Sequence, residues 1–379
     1  MSNELLAIAH PQAAPAPSAP TGERFRRWLD ERLGISALSY PVPAHANSLW
    51  YTLGGVTFVG FVILILTGIY LAQFYHPHPA EARDSVLYIQ DAAPLGDVMR
   101  GIHVWLASLV TITASLHLLR VFATASYKRP RELNWLVGVA LLAVTLGFVF
   151  TGSVLRWDQE AWEALQHNTE AAALLGNLGT WFTPEFAENV PILTRLYLTH
   201  ISLLPVLLIV LFGLHFGLIK KHGISALPAQ ADAGEAPGGI LPKEKLGASY
   251  AEHLRKMAGY GLILLGVAGV LTVLLPPAIG EAANPSMEIT KPAWMFFWLY
   301  AFEGPFGVRG ILYAGAIFFA LLALVPFVDR SPWRSPARRR IALAVAAAVV
   351  LAMIGLSLYV WLSPTEEHLE EARRLLFRL

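Results

Sequence analysis

Residues 101–120 read GIHVWLASLVTITASLHLLR and residues 199–215 read THISLLPVLLIVLFGLH, two almost uncharged runs that each hold a pair of histidines: His103 and His117, then His200 and His215. The first pair is 14 residues apart and the second 15. At 3.6 residues per turn these are about four turns and about four and a sixth, so both rings of each pair leave nearly one helix face, roughly 21 Å apart along the axis. Ionisable side chains are costly inside lipid and mark functional sites where they occur there. A hydrogen bond to a neighbour explains one such histidine. It does not explain four in two matched pairs.

That the solvent is lipid follows from composition. Of 379 residues 55% are hydrophobic and only 15% charged, proportions of polytopic membrane proteins rather than soluble domains. About 20 apolar residues cover a hydrocarbon core of roughly 30 Å. Seven spans of this kind are read, at approximately 50–74, 102–125, 135–155, 196–219, 259–275, 311–328 and 341–362. The expected fold class is therefore all-α, a polytopic membrane protein of about seven transmembrane helices, with a four-helix bundle that contains the two histidine pairs followed by a three-helix C-terminal half. The Ala/Pro-rich stretch through Gly22 lacks a basic segment followed by an apolar run, so the first span rather than a cleaved leader is expected to start insertion.

Lysine and arginine are retained on the cytoplasmic side of a membrane. The segment before the first span and the connections after the second, fourth and sixth hold 4, 4, 6 and 5 of them, Arg120 counted with the second, against 2 in each remaining connection. The odd-numbered spans are thus expected to run outward, with the N-terminus in the cytoplasm and the C-terminus outside a prokaryotic cytoplasmic membrane. The chain has no cysteine, so it offers no thioether link for a haem c, no thiolate for an iron–sulfur cluster and no disulfide. Any such centre must belong to a partner. No nucleic-acid partner is expected.

Five segments follow: 1–49, a cytoplasmic tail with a surface amphipathic helix near 23–33; 50–226, the four-helix domain; 227–258, a Pro/Gly/Ala-rich cytoplasmic linker; 259–362, the three-helix domain; and 363–379, an outer-side amphipathic tail. A solvated linker helix and a solvated tail are the plainer alternatives for the first and last.

The second and fourth spans run in the same direction, so His103 and His200 share an outer depth and His117 and His215 an inner one. Imidazole is a strong axial ligand of haem iron, and facing histidines in a helical bundle clamp a flat macrocycle. Two bis-histidine haems b are expected. On the two spans without these histidines, Gly54 and Gly68, and Gly138 and Gly152, repeat the 14-residue spacing, where glycine lets a flat ring approach the backbone. Arg120, three residues after His117, is placed to pair with a propionate of the inner haem, although positive-inside sorting explains most of its basic neighbours.

In these segments, and in Lys128-Arg-Pro-Arg-Glu132-Leu-Asn-Trp135, Thr151-Gly152-Ser-Val-Leu-Arg-Trp157-Asp158-Gln159 and Thr194-Arg-Leu-Tyr197-Leu-Thr-His200, the chain resembles the cytochrome b subunit of quinol-oxidising cytochrome bc and bf complexes. The 14-plus-15 spacing is similar to that of the chloroplast branch. Ala278-Ile-Gly-Glu281 through Asn284-Pro285 and Pro292-Ala-Trp-Met295-Phe-Phe resemble that branch's subunit IV, here joined to the same chain. The resemblance implies a homodimeric complex with a Rieske iron–sulfur protein and a c-type cytochrome or equivalent, exchanging electrons with the quinone pool. It implies quinol oxidation at an outer site beside His103 and His200, and quinone reduction at an inner site beside His117 and His215.

The chain departs from that family in three places at least. Thr52 stands where the chloroplast branch has the cysteine that tethers a third haem, so no covalent haem c is expected. The family's outer-site motif, Pro-Glu-Trp-Tyr, reads Pro292-Ala293-Trp294-Met295. Alanine cannot take the proton the glutamate is thought to accept, and methionine lacks the tyrosine hydroxyl. Arg156 replaces a proline at the mouth of the same site. Glu288 and Glu303 flank the motif as candidate substitutes, with ordinary surface acids as the plainer reading. At the inner site Lys220 replaces an arginine, keeping the charge and losing the bidentate fork.

Two redox functions remain in view. In the first, the chain is the diheme electron-transfer subunit of a bc-type complex, coupling quinol oxidation and quinone reduction to proton translocation. In the second, it is a transmembrane electron wire between a periplasmic redox partner and the quinone pool, without a working outer quinol site. A transporter or haem-free scaffold would require the four histidines to be coincidental.

Overall fold

Backbone N–H and C=O groups find no partner in lipid, so an uncharged run of this length closes its hydrogen bonds internally as a helix. The computed structural model describes residues 20–34, 36, 39–285 and 290–364, and among them seven helices are long and apolar enough to cross a membrane. A surface helix, α1 (Thr21–Leu33), precedes them and ends at Gly34 in the left-handed conformation with φ 61°. The spans are α2 (Leu49–Leu71), α4 (Gly96–Ala123), α5 (Glu132–Val154), α7 (Ile192–His222), α8 (Tyr250–Leu274), α9 (Val308–Val328) and α10 (Arg340–Leu362). Two amphipathic helices lie between spans, α3 (Ala82–Asp91) and α6 (Gln159–Leu174). The tail from 365 onward and Glu288 lie outside the described residues.

Several spans run past the apolar stretch. Helix α8 starts at Tyr250 rather than near 259, because Ser249 Oγ caps it by accepting from Ala251 N at 3.2 Å and its charged first turns are tolerated beyond the hydrocarbon. Helix α7 is interrupted by a π turn over Thr199–Leu203, just ahead of Pro205. Proline has no N–H to donate, and its ring clashes with the carbonyl four residues back; opening the helix by a π turn relieves both.

The core at mid-depth joins Phe61 of α2, Leu106 and Val110 of α4, Leu208 of α7 and Ala268 of α8. Phe61, Phe148 and Phe212 meet there edge-on or tilted, with centroids 5.7 to 6.2 Å apart. Helix α8 belongs to the C-terminal half, yet it packs directly on the four-span N-terminal half: a Cβ on Gly261 would clash with the Val59 side chain. Indole donors add two further ties, Trp105 Nε1 to Leu275 O at 2.9 Å and Trp135 Nε1 to Leu322 O at 2.7 Å.

At the end of the bundle near the 124–131 connection, a buried polar network links the two halves. Asp329 accepts from Tyr127 Oη at 2.5 Å, Lys128 Nζ at 2.9 Å and Arg339 Nε at 3.0 Å. Burial disfavours its charge, but hydrogen bonds from Tyr127 and Lys128 and the positive charge of Arg339 and Lys128 outweigh it and lower its pKa to about 2. Arg334 donates to Ala125 O and Arg129 O, both at 2.9 Å. Of the basic residues of this connection, Lys128 and Arg131, which donates to His222 O at 2.9 Å, are thereby occupied in joining segments distant in sequence.

Candidate functional site

We call the end of the bundle with His103 and His200 the outer end, and that with His117 and His215 the inner end. Each of the four glycines faces one of the four histidines. A Cβ on Gly54 would stand 2.8 Å from Cε1 of His117, on Gly68 3.3 Å from Cε1 of His103, on Gly152 3.0 Å from Cε1 of His200 and on Gly138 3.7 Å from Cε1 of His215. The glycines on α5 are 14 residues apart while the histidines they face on α7 are 15 apart. The π turn takes up the extra residue, so both glycine–histidine contacts stay in register.

Across the bundle, the rings of His103 and His200 have centroids 6.4 Å apart, and those of His117 and His215 6.5 Å. Two imidazoles binding one metal from opposite sides, at a metal–nitrogen distance of about 2.0–2.1 Å, place their ring centres roughly 6.3 Å apart. Both pairs fit that separation.

At the outer pair, two threonines choose the tautomer. Thr67 Oγ1 gives its hydrogen to Ile63 O (3.0 Å) and contacts His103 Nδ1 at 2.9 Å. Thr151 Oγ1 gives its hydrogen to Gly147 O (2.7 Å) and contacts His200 Nδ1 at 2.8 Å. A hydroxyl whose hydrogen is committed can only accept, so Nδ1 of each ring carries the proton and Nε2 keeps the lone pair a metal needs. Sequence reasoning missed both threonines. Their signal is the dipeptide Thr-Gly, repeated at Thr67-Gly68 and Thr151-Gly152.

At the inner pair a cavity of about 200 Å³ is lined by His117, His215, Gly54, Gly138 and Arg120 among others. Arg120 stacks on the Tyr51 ring at 4.6 Å and reaches His117 Nδ1 at 3.4 Å. Its Nε is buried with no hydrogen-bond partner among the described residues. A buried guanidinium short of an acceptor fits an anionic group entering the cavity, as a haem propionate would be. Lys220 is exposed at the inner end of α7 and does not line this cavity.

At the outer end the segment after α8 is held against α6 and its approach. Asp158 is buried; its Oδ1 caps α6 by accepting from Ala161 N at 3.0 Å, and its Oδ2 accepts from Gly280 N at 3.0 Å. Gln159 N donates to Glu281 O at 3.0 Å. Arg156 turns to the first turn of α6, in ion pairs with Glu160 at 2.7 Å and Asp158 at 3.7 Å. Burial raises the Glu160 pKa, with Arg156 partly offsetting it.

Pro292 leads into a short 3₁₀ turn (Trp294–Phe296) that Ala293 precedes. Trp294 Nε1 donates to Ser108 Oγ at 3.3 Å, on the helix that carries His103, and Met295 is buried. Glu303 is buried and pairs, through a short contact, with Nε2 of His167 on α6. His167 was not singled out in the sequence. Its partner lies 136 residues away and no local pattern announces it.

A family model described as Cytochrome b/b6/petB matches residues 37–223. The cytochrome bc complex cytochrome b subunit of Chlorobaculum thiosulfatiphilum is 33% identical over 356 residues, covering 88% of this chain and 79% of that protein. The menaquinol:cytochrome c reductase cytochrome b subunit of Bacillus subtilis is 39% identical over 214 residues, 52% of this chain and 96% of its own length. Among solved structures, a chain of a hyperthermophilic respiratory Complex III superposes with a TM-score of 0.75 at 25% identity, covering 93% of this chain and 96% of that one.

Proposed function

Because the chain belongs to the cytochrome b family of cytochrome bc complexes, with the C-terminal half included in the match to its relative from Chlorobaculum, we propose that it is the diheme electron-transfer subunit of a bc-type complex that couples quinol oxidation and quinone reduction to proton translocation. The carrying observation is the fourfold glycine–histidine opposition around two ring pairs 6.4 and 6.5 Å across.

In this reading His103 and His200 hold one haem b, each through Nε2, and His117 and His215 hold the other. When bound, the two haems supply one-electron redox centres at two depths of the membrane. The chain's own residues do the rest. Thr67 and Thr151 orient the outer rings, Arg120 neutralises a propionate beside the inner one, and the aromatic core of Phe61, Phe148 and Phe212 keeps water out between them. Relatives named for menaquinol and cytochrome c support a quinol donor and a c-type acceptor; a Rieske iron–sulfur partner, a homodimer, and an outer face on the positive side of a prokaryotic membrane complete the proposal. Lys220 remains the candidate charge near the inner quinone site, reached from the exposed side of α7.

The test is turnover of the purified complex with a short-chain quinol, followed through reduction of its high-potential acceptor with and without an inhibitor of the outer site. Inhibitor-sensitive turnover is expected. Its absence, beside normal haem reduction through the inner face, would instead identify the transmembrane wire that Ala293 and Met295 suggest.

A further inference from the structure

We propose that His167 and Glu303 act together as a proton acceptor of the outer quinol site, in place of the carboxylate that Ala293 lacks. This rests on the reading that the outer site oxidises quinol.

Two residues one helical turn apart on α6 grip both flanks of the altered motif. On the near flank, Glu163 Oε2 accepts from Thr290 N at 2.9 Å and from the Thr290 hydroxyl through a short bond, while its Oε1 accepts from Gln159 Nε2 at 2.7 Å. On the far flank, His167 Nε2 meets Glu303 Oε1, and the ring of Tyr300 lies 5.3 Å from that of His167. Pro292 to Met295 are the stretch between these anchors, and Trp294 ties that stretch to Ser108, five residues along α4 from the outer histidine His103.

Glu163 and His167 therefore have different chemistry. Among its described contacts Glu163 is a clamp occupied by donors. His167 Nδ1 lies 2.7 Å from Glu163 O, and a carbonyl only accepts, so that nitrogen carries a proton. Among its described contacts, His167 Nε2 faces a carboxylate oxygen of Glu303. With no proton between them, two lone pairs oppose each other; one proton turns the contact into an imidazolium–carboxylate hydrogen bond. A pair of this kind, with side chains 14% and 9% exposed, takes up one proton and can pass it to the outer face.

Oxidation of a quinol to a quinone breaks two O–H bonds and releases two electrons and two protons. A haem held by His103 and His200 would supply the acceptor for one electron, and a high-potential iron–sulfur partner the acceptor for the other. One proton forms the N–H bond at His167 Nε2, and the other leaves with the iron–sulfur partner.

The test uses the whole complex purified in detergent, with a short-chain quinol as donor and its own high-potential partner as acceptor. General base catalysis contributes about 10²- to 10⁴-fold, so Glu303→Gln and His167→Gln should each lower inhibitor-sensitive kcat by about 10²-fold with KM changed little, and the double variant should be no worse than either. Haem content and reduction through the inner face should be unchanged. Adding Ala293→Glu to the Glu303→Gln variant should restore most of the turnover. Full turnover in both single variants overturns the proposal, as does a loss that Ala293→Glu fails to restore, or a Glu288→Gln variant that alone abolishes turnover. A wild-type complex with no inhibitor-sensitive turnover defeats instead the underlying reading of the outer site.

Discussion

At each candidate ligand a backbone without Cβ stands opposite an imidazole, and the clearances are unequal. A methyl on Gly54 falls 2.8 Å from the His117 ring, closer than such atoms come in practice, whereas on Gly138 it meets His215 at an ordinary 3.7 Å. Gly54→Ala should therefore displace the inner ring and take haem from two toward one per chain, while Gly138→Ala keeps both; pyridine haemochrome assay of the two purified variants checks this, and equal haem content contradicts it. Thr67→Val or Thr151→Val removes the acceptor that fixes an outer tautomer. Such supporting contacts are worth about 10- to 100-fold in metal affinity, so the outer haem should be lost first on dilution or mild denaturation, read from the redox spectrum. The histidines and glycines were legible because spacing repeats along single helices. The threonines were not, since a threonine in an apolar helix ordinarily bonds back to the carbonyl four residues earlier, as both do here.

The helical element least legible in advance was α7. Counting residues places its two histidines nearly on one face, but the surplus rotation of the fifteenth residue is absorbed by the π turn, a local response to Pro205 that periodicity does not reveal. A residue adds about 100° of helical rotation. Deleting Ser202 should return the spacing to the 14 residues of the facing glycines and keep both haems, whereas inserting an alanine after Ser202 should swing His200 off its partner and lose the outer one. Haem content of both variants decides it: loss in the deletion, or retention in the insertion, contradicts the register argument. The span count and the long helices followed directly from apolar length. The extended start of α8 did not, because capping and interfacial charge lengthen a helix beyond its hydrophobic part.

Taken as one molecule, the chain joins its two halves by helix packing through the membrane and by the buried polar network at the inner end, where Lys128 and Asp329 lie 201 residues apart. No sequence pattern marks a contact of that range, and the 124–131 connection reads only as a basic loop. Removing one partner of a fully buried ion pair costs about 3–5 kcal/mol and of an exposed one about 1 kcal/mol or less; Asp329 is partly buried, so Asp329→Asn should destabilise the detergent-solubilised protein by about 1–2 kcal/mol at neutral pH. The native pKa of about 2 lies below the roughly 3.9 of an exposed aspartate, so this stabilisation is complete above about pH 4 and is lost as pH falls toward 2. The gap in melting temperature between wild type and variant should hold from pH 7 to 4 and close between 4 and 2; a gap independent of pH would assign the effect elsewhere.

The whole account depends on two metal centres between two histidine pairs, and haem stoichiometry addresses it most directly. Pyridine haemochrome analysis of the purified wild-type chain should give two haems b per chain, falling to one when His103 or His200 is replaced by leucine and to one when His117 or His215 is. A wild-type chain with one haem or none, or a full complement after any of these replacements, would contradict the assignment.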